Sequence, residues 1–153
     1  MILFRICKAR YAETAYSGAG GFDASGRWHF KGRPVVYACG TLSLAALEYL
    51  VHLGRRDVKV SLIFVQATVP DDVSMEVVDA ASLPQNWMAA PPIEATMALG
   101  TNWLVQARSA VLKVPSVVIR DEFNYLLNPQ HSDFKRIVVS KPAPFSFDLR
   151  LVE

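Results

Sequence analysis

Three side chains in the first third of the sequence have types suited to one reaction: Arg27, Tyr37 and Glu48. A guanidinium offers several donors in a fixed plane and grips a pyrophosphate. An aromatic ring stacks on a cationic pyridinium such as nicotinamide. A carboxylate holds a ribose hydroxyl and faces a developing oxocarbenium ion. Glycoside cleavage generally needs a second carboxyl group to protonate a poor leaving group. Nicotinamide leaves NAD as a neutral molecule without that proton, so one glutamate suffices. Opposite charges ~4 Å apart at an effective dielectric of ~20 interact by ~4 kcal/mol. Realised only in the transition state, that is roughly 10³-fold in rate. Each residue also has an ordinary structural reading. Arg27 suits a solvated turn, Tyr37 a strand core, and Glu48 an exposed helix face beside His52, its neighbour one turn on.

The surrounding elements must position these three side chains. Ile2 to Cys7 reads as a short apolar strand, followed by a glycine-rich loop from Ser17 to Gly21. Gly26 marks a turn from which Arg27 leads into a strand. Val35 to Cys39, β-branched and aromatic, reads as the strand that carries Tyr37. Thr41 or Ser43 caps a helix over Leu42 to Leu53, and Gly54 ends it. That helix is apolar on almost every face, which predicts burial, and Glu48 is its only carboxylate. A strand and the helix that follows it usually pack together, which brings Tyr37 and Glu48 to one cleft.

Further along, strands are expected over Lys59 to Val69 and Met75 to Val78. Leu83 to Pro92 reads as a loop, and Glu94 to Ala107 as a helix with a break at Gly100. Val111 to Ile119 reads as a strand in which Pro115 marks an edge or a bulge. Asn124 to Phe134 reads as a loop, and Ile137 to Ser140 and Phe145 to Leu151 as short strands. Strands outnumber helices without alternating with them, which predicts a single α+β domain over residues 1–153.

Composition narrows the function classes. The chain has 153 residues with 52% hydrophobic and 20% charged, enough apolar material for one core without disulfides or a structural metal. Cys7 and Cys39 form no disulfide framework. The net charge of +2 is too small to argue for nucleic acid, and Arg55-Arg56 is the only adjacent arginine pair. No apolar run is long enough to span a membrane, and the first residues do not read as a signal peptide, so the cytoplasm is the expected compartment. Neither phosphate-loop fingerprint is present. His29, His52 and His131 lack paired ligand spacing, so no metal is expected. There is no G-x-S-x-G elbow.

Several separate runs resemble the RES domain family. These are Phe4-Arg5-Ile6, then Gly26 to Gly32, Val35-Val36-Tyr37, Leu47-Glu48, Val114-Pro115-Ser116, and Asn124 to Phe134. They follow the family's order and spacing over nearly the whole chain. Two positions depart from its pattern: His29 stands where asparagine is common, and Ser132 where proline is. The resemblance implies an ADP-ribosyltransferase-like fold, with a bent, split β-sheet core and flanking helices around an NAD cleft. It implies a toxin of a toxin–antitoxin pair whose partner is an Xre-like helix-turn-helix antitoxin.

By the same resemblance, Arg27 would grip the NAD phosphates or ribose and Tyr37 would stack on nicotinamide. Glu48 would hold the ribose and stabilise the cation. Ser116 would shape the pocket or position a phosphate or hydroxyl, and Asn128 and His131 are further nucleotide-binding candidates. Asn128 and Pro129 equally suit a plain turn. The expected reaction is NAD degradation, with inorganic phosphate or water capturing the ADP-ribosyl group. Transfer to a protein acceptor would use the same site. A non-catalytic nucleotide- or RNA-binding module is the reading from another class, and the lack of a basic stripe weighs against RNA. No direct contact with nucleic acid or membrane is expected. The apolar Val111 to Ile119 edge is expected to help dock the antitoxin.

Overall fold

The opening strand, β1 (Ile2–Lys8), shows how the molecule divides its apolar residues. Side chains alternate across a strand, so Leu3 and Cys7 join one core while Phe4 and Ile6 join another. The structure, a computed structural model, describes residues 1–53 and 60–151. The expected helix stop at Gly54, the Arg55-Arg56 pair and the expected strand start at Lys59 lie outside these residues.

After β1 come a 3-10 turn, a short helix α1 (Gly20–Asp23), strand β2 (Val36–Cys39) and helix α2 (Leu42–Val51). Then follow β3 (Leu62–Thr68), β4 (Met75–Val77), helix α3 (Glu94–Gln106), β5 (Val111–Pro115) and β6 (Phe123–Leu127). The last strands are β7 (Val138–Val139) and β8 (Ala143–Phe145). The strands form one curled sheet in the order β4-β5-β6-β2-β1-β3-β7, with β8 also on β3. Among the described strands only β4 and β5 run parallel. The expected α+β class and split, bent sheet are what the chain adopts.

The split has a definite place. β1 zips to β3 along its whole length, from Ile2↔Thr68 to Lys8↔Leu62. β2 zips equally well to β6, from Val36↔Leu127 to Cys39↔Asn124. Yet β1 and β2 meet at a single register pair, Phe4↔Cys39. Two well-paired half-sheets therefore join at one point and diverge from it.

One sheet face buries Leu3, Val36, Ala38, Val65, Val111 and Leu127 in a common core. The other face carries two separate clusters. Trp28, Trp103, Leu112, Val114 and Leu126 pack beneath α3, and Ile6, Cys39, Leu44 and Leu62 pack beneath α2.

Several expectations need correction. α3 runs unbroken through Gly100, because that glycine serves contact rather than termination: a Cβ there would lie 1.8 Å from the Trp28 carbonyl oxygen. The segment after Gly26 is a tight turn rather than a strand, closed by Gly26 N–H donating to the His29 carbonyl at 3.0 Å. Asn124 to Leu127 is not loop but strand β6, paired on both sides and so held extended despite its turn-forming neighbours. β5 is interior and all its residues but Lys113 are buried, so Val111 to Ile119 is no apolar edge for docking; Pro115 simply ends the strand. The expected last strand is shifted, with β8 at Ala143–Phe145 and a 3-10 turn at Leu149–Leu151.

The close approach at Gly100 gives a test. Alanine would gain roughly 1 kcal/mol of helix propensity, but overpacking costs about 1–3 kcal/mol or more where backbone must move. Gly100→Ala is expected to lower the urea midpoint. An unchanged or raised midpoint would show that the Trp28 turn yields freely.

Candidate active site

Between the two clusters on the second sheet face lies a cavity of about 1090 Å³, at the upper end of the ~300–1,000 Å³ usual for ligand sites. Trp28, Val35 and Tyr37 line it from the α3 side, and Phe4, Ile6, Cys39, Ala45 and Tyr49 from the α2 side. It sits over the seam where β1 and β2 part. This also corrects the expectation that α2 is buried. Only Leu44 and Ala45 are fully enclosed and Val51 is 60% exposed, because part of the helix's apolar surface faces the cavity.

Glu48, Arg27 and Tyr37 all line this cavity, as the sequence predicts for Tyr37 and Glu48. Thr41 caps α2 by accepting from Leu44 N–H at 3.0 Å, which fixes where the helix starts and so where Glu48 falls. Ser116 Oγ donates to Glu48 Oε1 at 2.9 Å, and Asn124 Nδ2 donates to the same oxygen at 2.6 Å. Among the described residues none donates to Oε2. Ser116 itself is fully buried and stands behind Glu48 rather than on the cavity wall. Its Oγ accepts from Val118 and Ile119 N–H at 3.1 and 3.2 Å, so its one proton is committed to Glu48.

Arg27 lies in the turn that α3 pins. Phe30 N–H donates to Thr101 Oγ1 at 2.9 Å, and Trp28 packs on Gly100. Arg27 Nη1 donates to the carbonyls of Trp87 and Ala89 at 2.7 and 2.9 Å, which anchors the 83–92 loop beside the cavity. Burial disfavours the Arg27 charge, while Glu48 and then Tyr37 favour it.

Tyr37 is fixed through its hydroxyl. Trp28 N–H donates to Tyr37 Oη at 3.3 Å, and Oη lies 2.8 Å from His29 Nδ1. Gly26 N–H also donates to Nδ1, at 3.2 Å, so Nδ1 is an acceptor and Tyr37 the donor to it. Burial pushes the Tyr37 phenol up, keeping it protonated. Burial holds His29 below its ordinary value, opposed in part by the Ala24 and Gly21 carbonyls. A Cβ on Gly26 would stand 2.7 Å from Tyr37 Oη, which explains glycine there.

Asn128 and His131 fall elsewhere. Neither lines the cavity. Asn128 is fully buried, donating to the Leu104 carbonyl at 3.2 Å and accepting from Gln130 N–H at 3.0 Å. His131 caps a 3-10 turn by accepting from Asp133 N–H at 3.1 Å. Both side chains are occupied in holding the β6 exit, the turn reading of that segment.

Three lining residues were not anticipated as parts of the site. Asn124 is one, hidden by reading its segment as loop. Cys39 is the second: its thiol donates to Asn124 Oδ1 at 3.2 Å and is pushed up to about 12, by burial first and Glu48 next. Arg5 is the third. Its Nη1 donates to the Tyr37 carbonyl at 2.7 Å across the seam, and its Nε is buried without a partner among the described residues. A lone arginine inside an apolar strand was the available signal, since buried charge needs a function or a partner. With Arg5 and Arg27 on its wall and Glu48 as the single carboxylate among the described residues, the cavity suits an anionic ligand. Among the described residues no group of three or more His, Cys, Asp or Glu side chains could hold a metal. No described helix is long and apolar enough to cross a membrane.

A single α+β domain thus folds one curled, incompletely zipped sheet around a cleft that holds glutamate, arginine and tyrosine. The RES domain model matches residues 2–148, and the chain belongs to the RES domain family of toxins. It is 38% identical over 154 residues to Toxin Res of Photorhabdus laumondii subsp. laumondii, covering 100% of this chain and 98% of that one. It is 37% identical to the Prs ADP-ribosylating toxin of Sphingobium sp., covering 93% of this chain and 89% of that one. The toxin–antitoxin complex MbcT–MbcA of M. tuberculosis contains a chain of similar fold. The TM-score is 0.73 at 12% identity, over 95% of this chain and 84% of that one.

The His29–Tyr37 pair sets a pH dependence. His29 is held neutral when folded, so the unfolded chain takes up its proton first. The stability this contributes is complete above the unfolded value of about 6.5 and is lost as pH falls through the lower folded value. Urea unfolding from pH 7.5 to 5 is expected to show a steeper loss for the natural protein than for His29→Asn. Parallel curves would remove His29 as the cause.

Proposed function

We propose that this toxin breaks the bond between nicotinamide and ribose in NAD, degrading NAD by phosphorolysis or hydrolysis and so arresting growth. The observation that carries this reading is Glu48, the one carboxylate among the cavity's described residues, with one oxygen held by two donors and the other unengaged by them. Arg27 and Arg5 supply positive charge for the pyrophosphate, and Tyr37 offers its ring to the pyridinium. As the C–N bond breaks, its electron pair stays on the nicotinamide nitrogen, which becomes neutral. Positive charge then develops on the ribosyl carbon, and Glu48 faces it. An oxygen of phosphate or water forms the new C–O bond, and water gives up its proton to solvent. No second carboxyl group is needed, and the cavity wall has none among its described residues.

A second reading changes only the acceptor. The Sphingobium relative is named an ADP-ribosylating toxin, which favours transfer to a protein side chain. The same departure of nicotinamide begins both. The MbcT neighbour was solved with an antitoxin, and we take an Xre-like helix-turn-helix antitoxin to be the partner that silences this toxin in the cytoplasm, where NAD is at hand.

Purified protein incubated with NAD, with and without phosphate, is expected to yield nicotinamide plus ADP-ribose phosphate or ADP-ribose by mass. Modified protein in lysate, with NAD otherwise intact, would select the second reading. Glu48→Gln keeps the shape and removes the charge, and is expected to slow nicotinamide release by roughly 10²–10⁴. Full turnover by folded Glu48→Gln would sink the assignment.

A further inference from the structure

The hydrogen bonds around Glu48 are directional, and their direction has a source. Ser116 Oγ accepts two backbone N–H groups, so it meets Glu48 only as a donor. Asn124 would be ambiguous, since its amide presents oxygen on one side and nitrogen on the other. Cys39 removes the ambiguity: its protonated thiol donates to Oδ1, which turns Nδ2 toward Glu48. A reversed amide would set oxygen against carboxylate oxygen at 2.6 Å and lose the thiol bond as well. The register explains the meeting, because Cys39 on β2 pairs directly with Asn124 on β6. The charged or titratable groups around the carboxylate are Arg27 on the facing turn, Cys39 on β2 and His52 on α2. His52 Nδ1 is engaged by the Glu48 carbonyl at 2.8 Å.

We infer that Asn124, oriented by Cys39, is a positioning residue for Glu48: with Ser116 it fills Oε1 with donors, holds the carboxylate in one orientation and leaves Oε2 to meet the substrate. This rests on the proposed role of Glu48. A carboxylate held by one oxygen keeps the other at a fixed place. Catalytic geometry depends on such holding, since small misplacements of a reacting group are costly.

The test separates positioning from plain structure. The rate of nicotinamide release is measured against NAD concentration, so that kcat and KM separate. Asn124→Ala is expected to lower kcat about tenfold with KM for NAD little changed, because misplacing a reacting group costs rate rather than binding. Cys39→Val, which keeps Asn124 but frees its amide, should lower kcat by less, and it serves if Asn124→Ala fails to fold. Cys39→Ser, which restores a donor to Oδ1, should recover the rate that Cys39→Val loses. An unchanged kcat in folded Asn124→Ala, or in Cys39→Val where that variant stands in for it, overturns the inference. If the natural protein leaves NAD intact, growth arrest lost alike in folded Asn124→Ala and Glu48→Gln would uphold the positioning and refute the NAD chemistry instead.

Discussion

A carboxylate on the wall of a mostly apolar cavity must be compensated, and here the compensation comes from hydrogen-bond donors rather than a salt bridge. Ser116 and Asn124 both reach Glu48 Oε1. Such donors satisfy one oxygen without neutralising the side chain, as a bonded cation would. Much of the local architecture serves this arrangement. The α2 cap sets the helix start, the end of β5 delivers Ser116, and the β2–β6 register delivers Asn124 beside Cys39.

The cavity exists because the sheet is incompletely zipped. β1 pairs fully with β3 and β2 with β6, yet β1 and β2 share one register pair. Continuous pairing would close the seam and leave no cleft over it. Arg5 spans the gap by donating to the Tyr37 carbonyl, satisfying backbone that the missing ladder leaves open. Separate clusters under α2 and α3 keep the walls apart, and the Gly100 contact fixes the Arg27 turn to the second wall.

Side chains that carry strong chemical character were legible in the sequence. Glu48 was the one carboxylate in an apolar helix, and Tyr37 and its strand followed from β-branched and aromatic neighbours. The helix cap at Thr41 was equally readable. What escaped was long-range pairing. Asn124 looked like turn chemistry because Asn-Pro follows nearby, but pairing with β2 and β5 on either side imposes an extended backbone. The same blindness made interior β5 look like an edge, since Pro115 marks its end rather than its exposure. Gly100 looked like a helix break because a glycine's need for space is visible only once the Trp28 carbonyl is set against it. Asn128 and His131 drew attention by residue type, and their hydrogen bonds are spent locally.

The donors that prepare Glu48 are separated from it by more than sixty residues of chain, at Ser116 and Asn124. During synthesis, the helix bearing the carboxylate leaves the ribosome well before either donor exists. A chain interrupted between α2 and β6 therefore carries the glutamate but lacks one or both of the donors that reach it. The arrangement at Oε1 therefore depends on completion of the sheet, with β6 the last element it needs.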